Sequence, residues 1–503
     1  MSVPQAVFIM TDTQRRDMFG CYQQTGLQTP HVDALAGQGV RFNNAYCASP
    51  VCGPARSSLF TGLYPHSCGG WANGLPLDAN TKTIGQRLTD ATAGRVATGY
   101  IGKWHLDGGD YFGMGRCPEG WDPATWYDMR NYLEELSPAD RQRSRQAQSN
   151  DAPGGFPEEL TFARRCADRA IRFIEEHRDR PFLLVVSFDE PHSPYLCPEP
   201  YASMYDGYEF PKSPNVHDDL RDKPELQRIW AGDNLDRDMT EFRIARANYF
   251  GCHSFVDFQV GRVVEAIDCE TPESLVMFTS DHGDMLGCHR LERSGKGPAV
   301  YEEITNVPMV VRWPGCAAAG SVSDALVSHV DVAPTLLSYF GVDAPMLLPG
   351  CDQLGVIRGD VASVRQRVFM EFGRYENDHD GFLGFQPIRC VFDGQRKLAI
   401  NLLDRDEYYD HAVDPHEIEN LIEAPPDLAR RDGLHDELID WMNATRDPFR
   451  GDCWRRRPWR QDAPPASWAF MGMTRQREHE EYEPRQLDYA TGLEMKQAVR
   501  PKQ

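Results

Sequence analysis

The chain has 503 residues, 41% of them hydrophobic and 25% charged, and a formal net charge of −22. No stretch reaches the run of about 20 apolar residues that a membrane-spanning helix needs, and the negative balance argues against a surface built for nucleic acid or an anionic membrane. Any anion site must be a local basic pocket on a repulsive background. Met1-Ser2-Val3-Pro4 leads straight into Ala6–Met10, an apolar run shorter than the roughly 7–15 residues of a secretory signal core, so a cytoplasmic location is expected. The 14 cysteines then read as reduced thiols, and none has the C-x-x-C spacing of a zinc site.

Strand-like apolar runs fall at residues 7–10, 96–101, 182–188 and 275–279, with helical stretches such as 162–176 and 243–267 between them. This alternation predicts an α/β protein whose large, mostly parallel sheet is sandwiched by helices. Residues 194–239 are rich in Pro, Asp and Tyr and weakly periodic, and read as a long excursion over the sheet that walls an active site. The texture changes over 348–367, after which 368–372, 388–392 and 397–402 predict a smaller antiparallel sheet. The expected divisions are a catalytic domain over 1–365, a small α+β subdomain over 366–445, and an extended tail over 446–503 packing on the body or a neighbouring subunit. The stretch Arg450–Arg460, rich in Arg and Trp, is read as packing rather than as a nucleic-acid patch.

Chemistry gathers where strands end, as it does in doubly wound sheets. The first strand runs into Thr11-Asp12-Thr13, and the 275–279 strand into Ser280-Asp281-His282-Gly283. Two carboxylates and an imidazole at the ends of parallel strands can share one cation, with oxygen ligands favouring Ca²⁺, Mg²⁺ or Mn²⁺ and the histidine leaving softer metals open. The alternative is that Asp12 and Asp281 cap the turns that follow. In Ser49-Pro50-Val51-Cys52-Gly53-Pro54-Ala55-Arg56, Pro54 suits the first turn of a helix. Cys52 would sit at that helix's N-terminus and Arg56 one turn on, an arrangement that favours an anion beside Cys52. A buried structural cysteine is the alternative.

These segments resemble the type I, formylglycine-dependent sulfatases of the alkaline-phosphatase superfamily. The likeness extends through Thr29-Pro30-His31-Val32-Asp33, Thr61-Gly62, Gly102-Lys103-Trp104-His105, Glu190-Pro191-His192-Ser193-Pro194, Lys296, Val307-Pro308 and Asp331-Val332-Ala333-Pro334-Thr335. The Asp-Thr-Gln start and the tail are similar to an uncharacterised bacterial sulfatase-like group. The resemblance implies an alkaline-phosphatase-like fold and oxidation of Cys52 to formylglycine by a formylglycine-generating enzyme. Hydrated, that residue offers one hydroxyl to attack sulfur and a second whose deprotonation expels sulfate. The resemblance also implies a cation on Asp12, Asp281, His282 and residue 52, Ca²⁺ being the family's choice and Mn²⁺ or Mg²⁺ its competitors. Arg56, Lys103 and Lys296 would form a cationic clamp. His105 would orient the diol or take its second proton, and His192 would protonate the leaving oxygen.

Two departures stand out. Many sulfatases carry a second aspartate where this chain has Thr13, and Asp-Asn where it has Asp281-His282. Both resemble choline sulfatases and phosphonate monoester hydrolases, and the replacement of a carboxylate by Thr13 leaves the site more positive. Asn73 stands where the latter have a substrate-contacting asparagine, although it could equally hold the turn before Gly74. Trp71, His66, Arg374 and His379 are candidates for a leaving-group pocket suited to a sugar. Three readings follow: a sulfatase acting on a carbohydrate or other small sulfate ester, a phosphonate monoester or phosphodiester hydrolase, and a non-catalytic binder of a sulfated ligand. A homo-oligomer is compatible with each.

Overall fold

The computed structural model describes residues 3–145, 155–291, 296–315, 317–377, 384–463 and 492–493. Its first strand, β1 (Gln5–Thr11), is buried at every position, because it runs through the middle of a sheet covered on both faces. The other strands of that sheet are β2 (Val40–Tyr46), β3 (Ala97–Gly102), β4 (Phe182–Ser187), β5 (Leu275–Ser280), β6 (Met309–Arg312) and β7 (Ser321–Ser328). They lie in the order β3-β4-β1-β5-β6-β2-β7. Only β6 runs against its neighbours β5 and β2.

The alternation along β1 divides the core. Val7 and Ile9 pack with Phe173 of the helix Phe162–His177 and with Phe255 and Val260 of the helix Ala247–Glu270. Ala6, Phe8 and Met10 face Leu59 and Phe60 of α2 (Cys52–Thr61) and Leu336 of the helix Val332–Tyr339. The Ala247–Glu270 helix begins later than its apolar pattern predicts, because Ile244 pairs as a bridge with Phe210.

A second, antiparallel sheet holds β8 (Val368–Phe372), β9 (Ile388–Phe392), β10 (Arg396–Asn401) and β11 (Glu407–Asp410) in the order β11-β10-β9-β8. One face packs under the helix Leu428–Ala444 with Leu434, Leu438 and the fully buried Trp454. The other shares a core with Tyr46 and Tyr301 of the large-sheet region. The excursion 194–239 is packed into that same core through Tyr205, Phe210, Val216, Leu220 and Trp230. The arginines beyond the last helix meet carboxylates: Arg457 pairs with Asp406 and Arg460 with Asp436. The part of the expected tail beyond 463, apart from 492–493, lies outside the described residues. Among the described residues, no helix is long and apolar enough to cross a membrane.

Candidate active site

Four parallel strands end at one level, and that register builds the site. Gly102, Ser187, Met10 and Thr279 lie side by side across β3, β4, β1 and β5. Lys103 follows one position on, and Asp189, Asp12 and Asp281 two positions on. Gly102 has φ +124°, and a Cβ there would stand 1.9 Å from the Ser187 carbonyl oxygen. Only glycine lets the chain turn out of β3 into Lys103.

α2 delivers Cys52 as its first residue, and the residue before it, Val51, offers no side-chain cap. Its first N–H groups therefore point beside the cysteine. One is fixed, for Gly53 N donates to Asn73 Oδ1 at 2.9 Å, and Asn73 Nδ2 donates to Glu376 at 3.3 Å. Asn73 thus anchors the helix start.

Cys52 Sγ, one carboxylate oxygen each of Asp12 and Asp281, and a ring nitrogen of His282 all lie within 4.8 Å of one another, and all four residues are buried. His282 Nε2 is 3.3 Å from Sγ, 3.8 Å from Asp12 and 3.6 Å from Asp281. Its Nδ1 is 2.8 Å from the Gly283 carbonyl, which only accepts. Nδ1 therefore carries a proton, and His282 protonated there alone would turn the lone pair of Nε2 toward the carboxylates. This donor set fits a divalent cation. Asp281 also gains from one electrostatically. Burial, then Asp12, push Asp281 up to about 6. Burial opposes the Asp12 charge too, yet Lys103, His192, Lys296 and Arg56 together hold it well below the usual range. Thr13 is no third carboxylate: its hydroxyl donates to Asp12 at 2.5 Å and its N–H to Asp281 at 3.2 Å.

The three cations have different tasks. Arg56 directs its guanidinium to Asp281 at 3.0 Å, Asp12 at 3.2 Å, the Lys103 carbonyl at 2.8 Å and Ser187 Oγ at 2.7 Å. Lys103 Nζ reaches Asp12 at 2.7 Å, Asp189 at 2.9 Å and Tyr111 Oη at 3.0 Å, which uses all three of its donors. Lys296 Nζ stands 2.7 Å from Cys52 Sγ, below the ring of Tyr375 at 5.8 Å. Burial and Asp12 push the Cys52 thiol up, but Lys296, Lys103 and His282 outweigh them and hold it well below its usual range. A pocket that stabilises a thiolate in this way also suits a negative oxygen at the same position.

His105 is half-buried with its Nδ1 enclosed, and desolvation lowers its pKa against the pull of Cys52. His192 is half-buried, with Nδ1 2.9 Å from Tyr111 Oη and 3.0 Å from the Ser193 carbonyl. Trp71 lies edge-on to Phe385 at 6.0 Å, and Arg374 is half-buried next to Tyr375, whose carbonyl accepts from Asn73 N at 3.0 Å. His66 goes elsewhere. It is buried against Glu371, with Nδ1 bonded to that carboxylate and Nε2 3.0 Å from Thr445 Oγ1, so neither ring nitrogen serves a leaving-group pocket. His379 lies outside the described residues. Asp189, Tyr111 and Tyr375 join the site without having been singled out. Asp189 carries the strand-end position that marks Asp12 and Asp281, whereas Tyr111 lies in an irregular loop with no such signal. A second acidic group, Glu302, Glu417 and His411, already holds a cation in Lys397, whose Nζ is 2.8 Å from Glu302 and 2.7 Å from Glu417.

The sequence profile of the Sulfatase family matches residues 4–342, a span that holds Asp12, Cys52, Asp281 and His282 and the cations Arg56, Lys103 and Lys296. The chain belongs to the sulfatase family. The profile of the N-sulphoglucosamine sulphohydrolase C-terminal region matches residues 297–444 of this sulfatase. Its sequence is 41% identical to the uncharacterized sulfatase YidJ of Escherichia coli K12, over 98% of this chain and 97% of that protein. The fold matches BT4656 in complex with its substrate D-glucosamine-2-N,6-O-disulfate, with a TM-score of 0.72 at 20% identity, covering 89% of this chain and 99% of the other. It also matches the phosphonate monoester hydrolase of Agrobacterium radiobacter, with a TM-score of 0.71 at 24% identity, covering 88% and 96%. This sulfatase is a sulfuric ester hydrolase with an alkaline-phosphatase-like architecture. Its family implies a divalent metal and a formylglycine, and the Asp12–Cys52–Asp281–His282 cluster is the candidate metal site.

Proposed function

We propose that this sulfatase hydrolyses a sulfate ester of a sugar or another small alcohol, with residue 52 as formylglycine and one divalent cation held by Asp12, Asp281, His282 and residue 52. The observation that carries the reading is the convergence of Cys52 with both carboxylates and His282 within 4.8 Å. Hydrated formylglycine supplies a diol with one hydroxyl for attack on sulfur and one for release of sulfate. The cation, when bound, supplies positive charge that lowers the diol's pKa and neutralises sulfuryl oxygens. Calcium suits the carboxylate oxygens, magnesium shares that preference, and the imidazole makes manganese a competitor.

The chain's own residues divide the remaining work. Arg56 holds Asp12 and Asp281 in place from behind, since its contacts are with the site itself. Lys103 does the same for Asp12 and Asp189. Lys296 is the cation that faces the nucleophile and the charge growing on sulfuryl oxygens. His105 orients the diol or takes its second proton, and His192 protonates the departing oxygen. Asn73 fixes the helix start and keeps part of its amide for substrate.

A sugar is supported by the sulfated glucosamine bound in BT4656 and by half-buried Trp71 beside Phe385, an apolar face for a ring to lie on. Arg374 and His379 are assigned to recognition of the released alcohol in this reading. Maturation requires a formylglycine-generating enzyme, and a homo-oligomer is compatible with the fold. The described cysteines are all free, which supports a reducing, cytoplasmic setting.

Charge alone admits sulfate esters, phosphonate monoesters and phosphodiesters, which each carry one negative charge. The neutral Thr13 and the likeness to a phosphonate monoester hydrolase make that class the competing reading. The test compares kcat/KM for an aryl sulfate with the matching phosphate monoester and phosphonate ester. The sulfate is expected to exceed the phosphate monoester, and a phosphonate hydrolysed far faster than every sulfate tried would overturn the assignment.

A further inference from the structure

The hydroxyl of Tyr111 connects three groups around the site. Tyr111 Oη is 2.6 Å from Asp189 Oδ1, 3.0 Å from Lys103 Nζ and 2.9 Å from His192 Nδ1. Its ring lies edge-on to His105 at 5.5 Å and tilted against His192 at 5.2 Å, and Lys103 Nζ lies 4.3 Å from its centroid.

Proton counting fixes the direction of each bond. A carboxylate only accepts and an ammonium only donates. The single hydroxyl proton of Tyr111 therefore goes to Asp189, and Lys103 donates into Oη. The remaining lone pair of Oη can only accept, so His192 Nδ1 must bring a proton to it. The second neighbour of Nδ1, the Ser193 carbonyl at 3.0 Å, is also an acceptor and demands the same proton.

We propose that Tyr111 is a positioning residue that locks His192 with its proton on Nδ1, so that Nε2 is the nitrogen that delivers a proton to the leaving oxygen. This rests on His192 being the general acid. Protonated at both nitrogens, His192 passes the Nε2 proton to the departing alkoxide and is left as the neutral Nδ1–H form. The bond to Tyr111 is kept throughout, and no rearrangement of the ring follows the transfer. Asp189 acts one step further back, by claiming the hydroxyl proton that would otherwise compete for Nδ1. An orienting hydrogen bond of this kind on a working histidine is worth about 10- to 100-fold when removed.

Tyr111→Phe and His192→Ala are compared with wild type on aryl sulfates of graded leaving-group pKa, in preparations matched for aldehyde at residue 52. The direct Lys103–Asp189 pair at 2.9 Å survives in Tyr111→Phe, so the cationic side of the site stays in place. The expected result is a loss of about 10- to 100-fold in kcat/KM for the poorest leaving groups and little change for the best. His192→Ala should show the same pattern more strongly. A uniform loss across the series in Tyr111→Phe, with the graded loss retained in His192→Ala, overturns the role of Tyr111 alone. A uniform loss in His192→Ala removes the general acid itself, and the proposal falls with it. Histidine ¹⁵N shifts give a readout independent of turnover: neutral His192 should carry its proton on Nδ1 in wild type. A predominant Nε2–H form there would also overturn the proposal.

Discussion

Lys296 Nζ lies 2.7 Å from Cys52 Sγ, directly against the nucleophile position. Its pKa is raised above the usual lysine value: burial opposes the charge, but Cys52, Tyr375 and Asp12 outweigh it. Lys296→Met removes this charge with little change in volume. It is expected to lower kcat on an aryl sulfate by about 100- to 1000-fold, the range seen when one preorganised donor is lost. A change below tenfold at equal aldehyde content would assign the facing charge to another group.

Protein made with a formylglycine-generating enzyme is expected to carry part of its Cys52 as the aldehyde. Peptide mass spectrometry should show the corresponding loss of mass, and a hydrazide probe should label the same peptide. Activity should scale with the aldehyde fraction across preparations. A fully active preparation whose Cys52 is entirely thiol would end the formylglycine mechanism.

Asp281 faces the cluster through Oδ1 and binds Arg56 through Oδ2 at 3.0 Å. Asp281→Asn keeps the shape but removes the charge that a divalent cation and Arg56 both need. Metal content measured by elemental analysis and kcat should fall together, activity by about 100-fold or more. Retention of both at wild-type levels would show that the metal site has been misassigned.

Glu190 offers a test by pH. Burial first, then Asp189, raise its pKa to about 8. Oε1 accepts from Ala163 N at 2.8 Å, while Oε2 is buried without a partner among the described residues. The folded protein thus keeps a proton that the unfolded chain releases near pH 4.3, roughly the value of a free glutamate. The associated stability is complete below the unfolded pKa and is lost as pH rises to about 8. The slope for one proton is about 1.4 kcal/mol per pH unit. Glu190→Gln mimics the protonated acid and should flatten the urea-unfolding profile between about pH 5 and 8. An unchanged slope would show that Glu190 is ionised in the folded state.

His66 should matter for stability and not for turnover. His66→Ala leaves the buried Glu371 carboxylate without its imidazole partner and is expected to cost about 1–3 kcal/mol in denaturant unfolding. KM for an aryl sulfate should stay within about twofold. A KM rise without a stability loss would return His66 to the substrate pocket.

Much of this arrangement could be read in the sequence because its pieces sit at chemically marked positions. β1 and β5 are uninterrupted apolar runs, being buried on both faces, and Asp12 and Asp281 stand immediately beyond them. Pro54 marked the start of α2 and so the place of Cys52. The strands that escaped notice lack such marks. β2 carries Asn43 and Asn44 in its middle, β6 is four residues long, and β7 is partly exposed over its first half. His66 follows closely on the Cys52 motif in sequence, but the short helix Pro65–Cys68 turns it toward Glu371 of the small sheet. Tyr111 was invisible because a loop without period gives no direction to its side chains, and only the fold brings Asp189 and His192 to its hydroxyl.

Cys52 is 1% exposed, closed in by α2, the strand ends and Lys296. An oxidising enzyme needs the cysteine and its flanking chain in its own cleft, and the finished fold withholds both. Under the proposed mechanism, conversion of Cys52 therefore competes with the docking of α2 on the sheet, and the active fraction of a preparation records the ratio of those two rates.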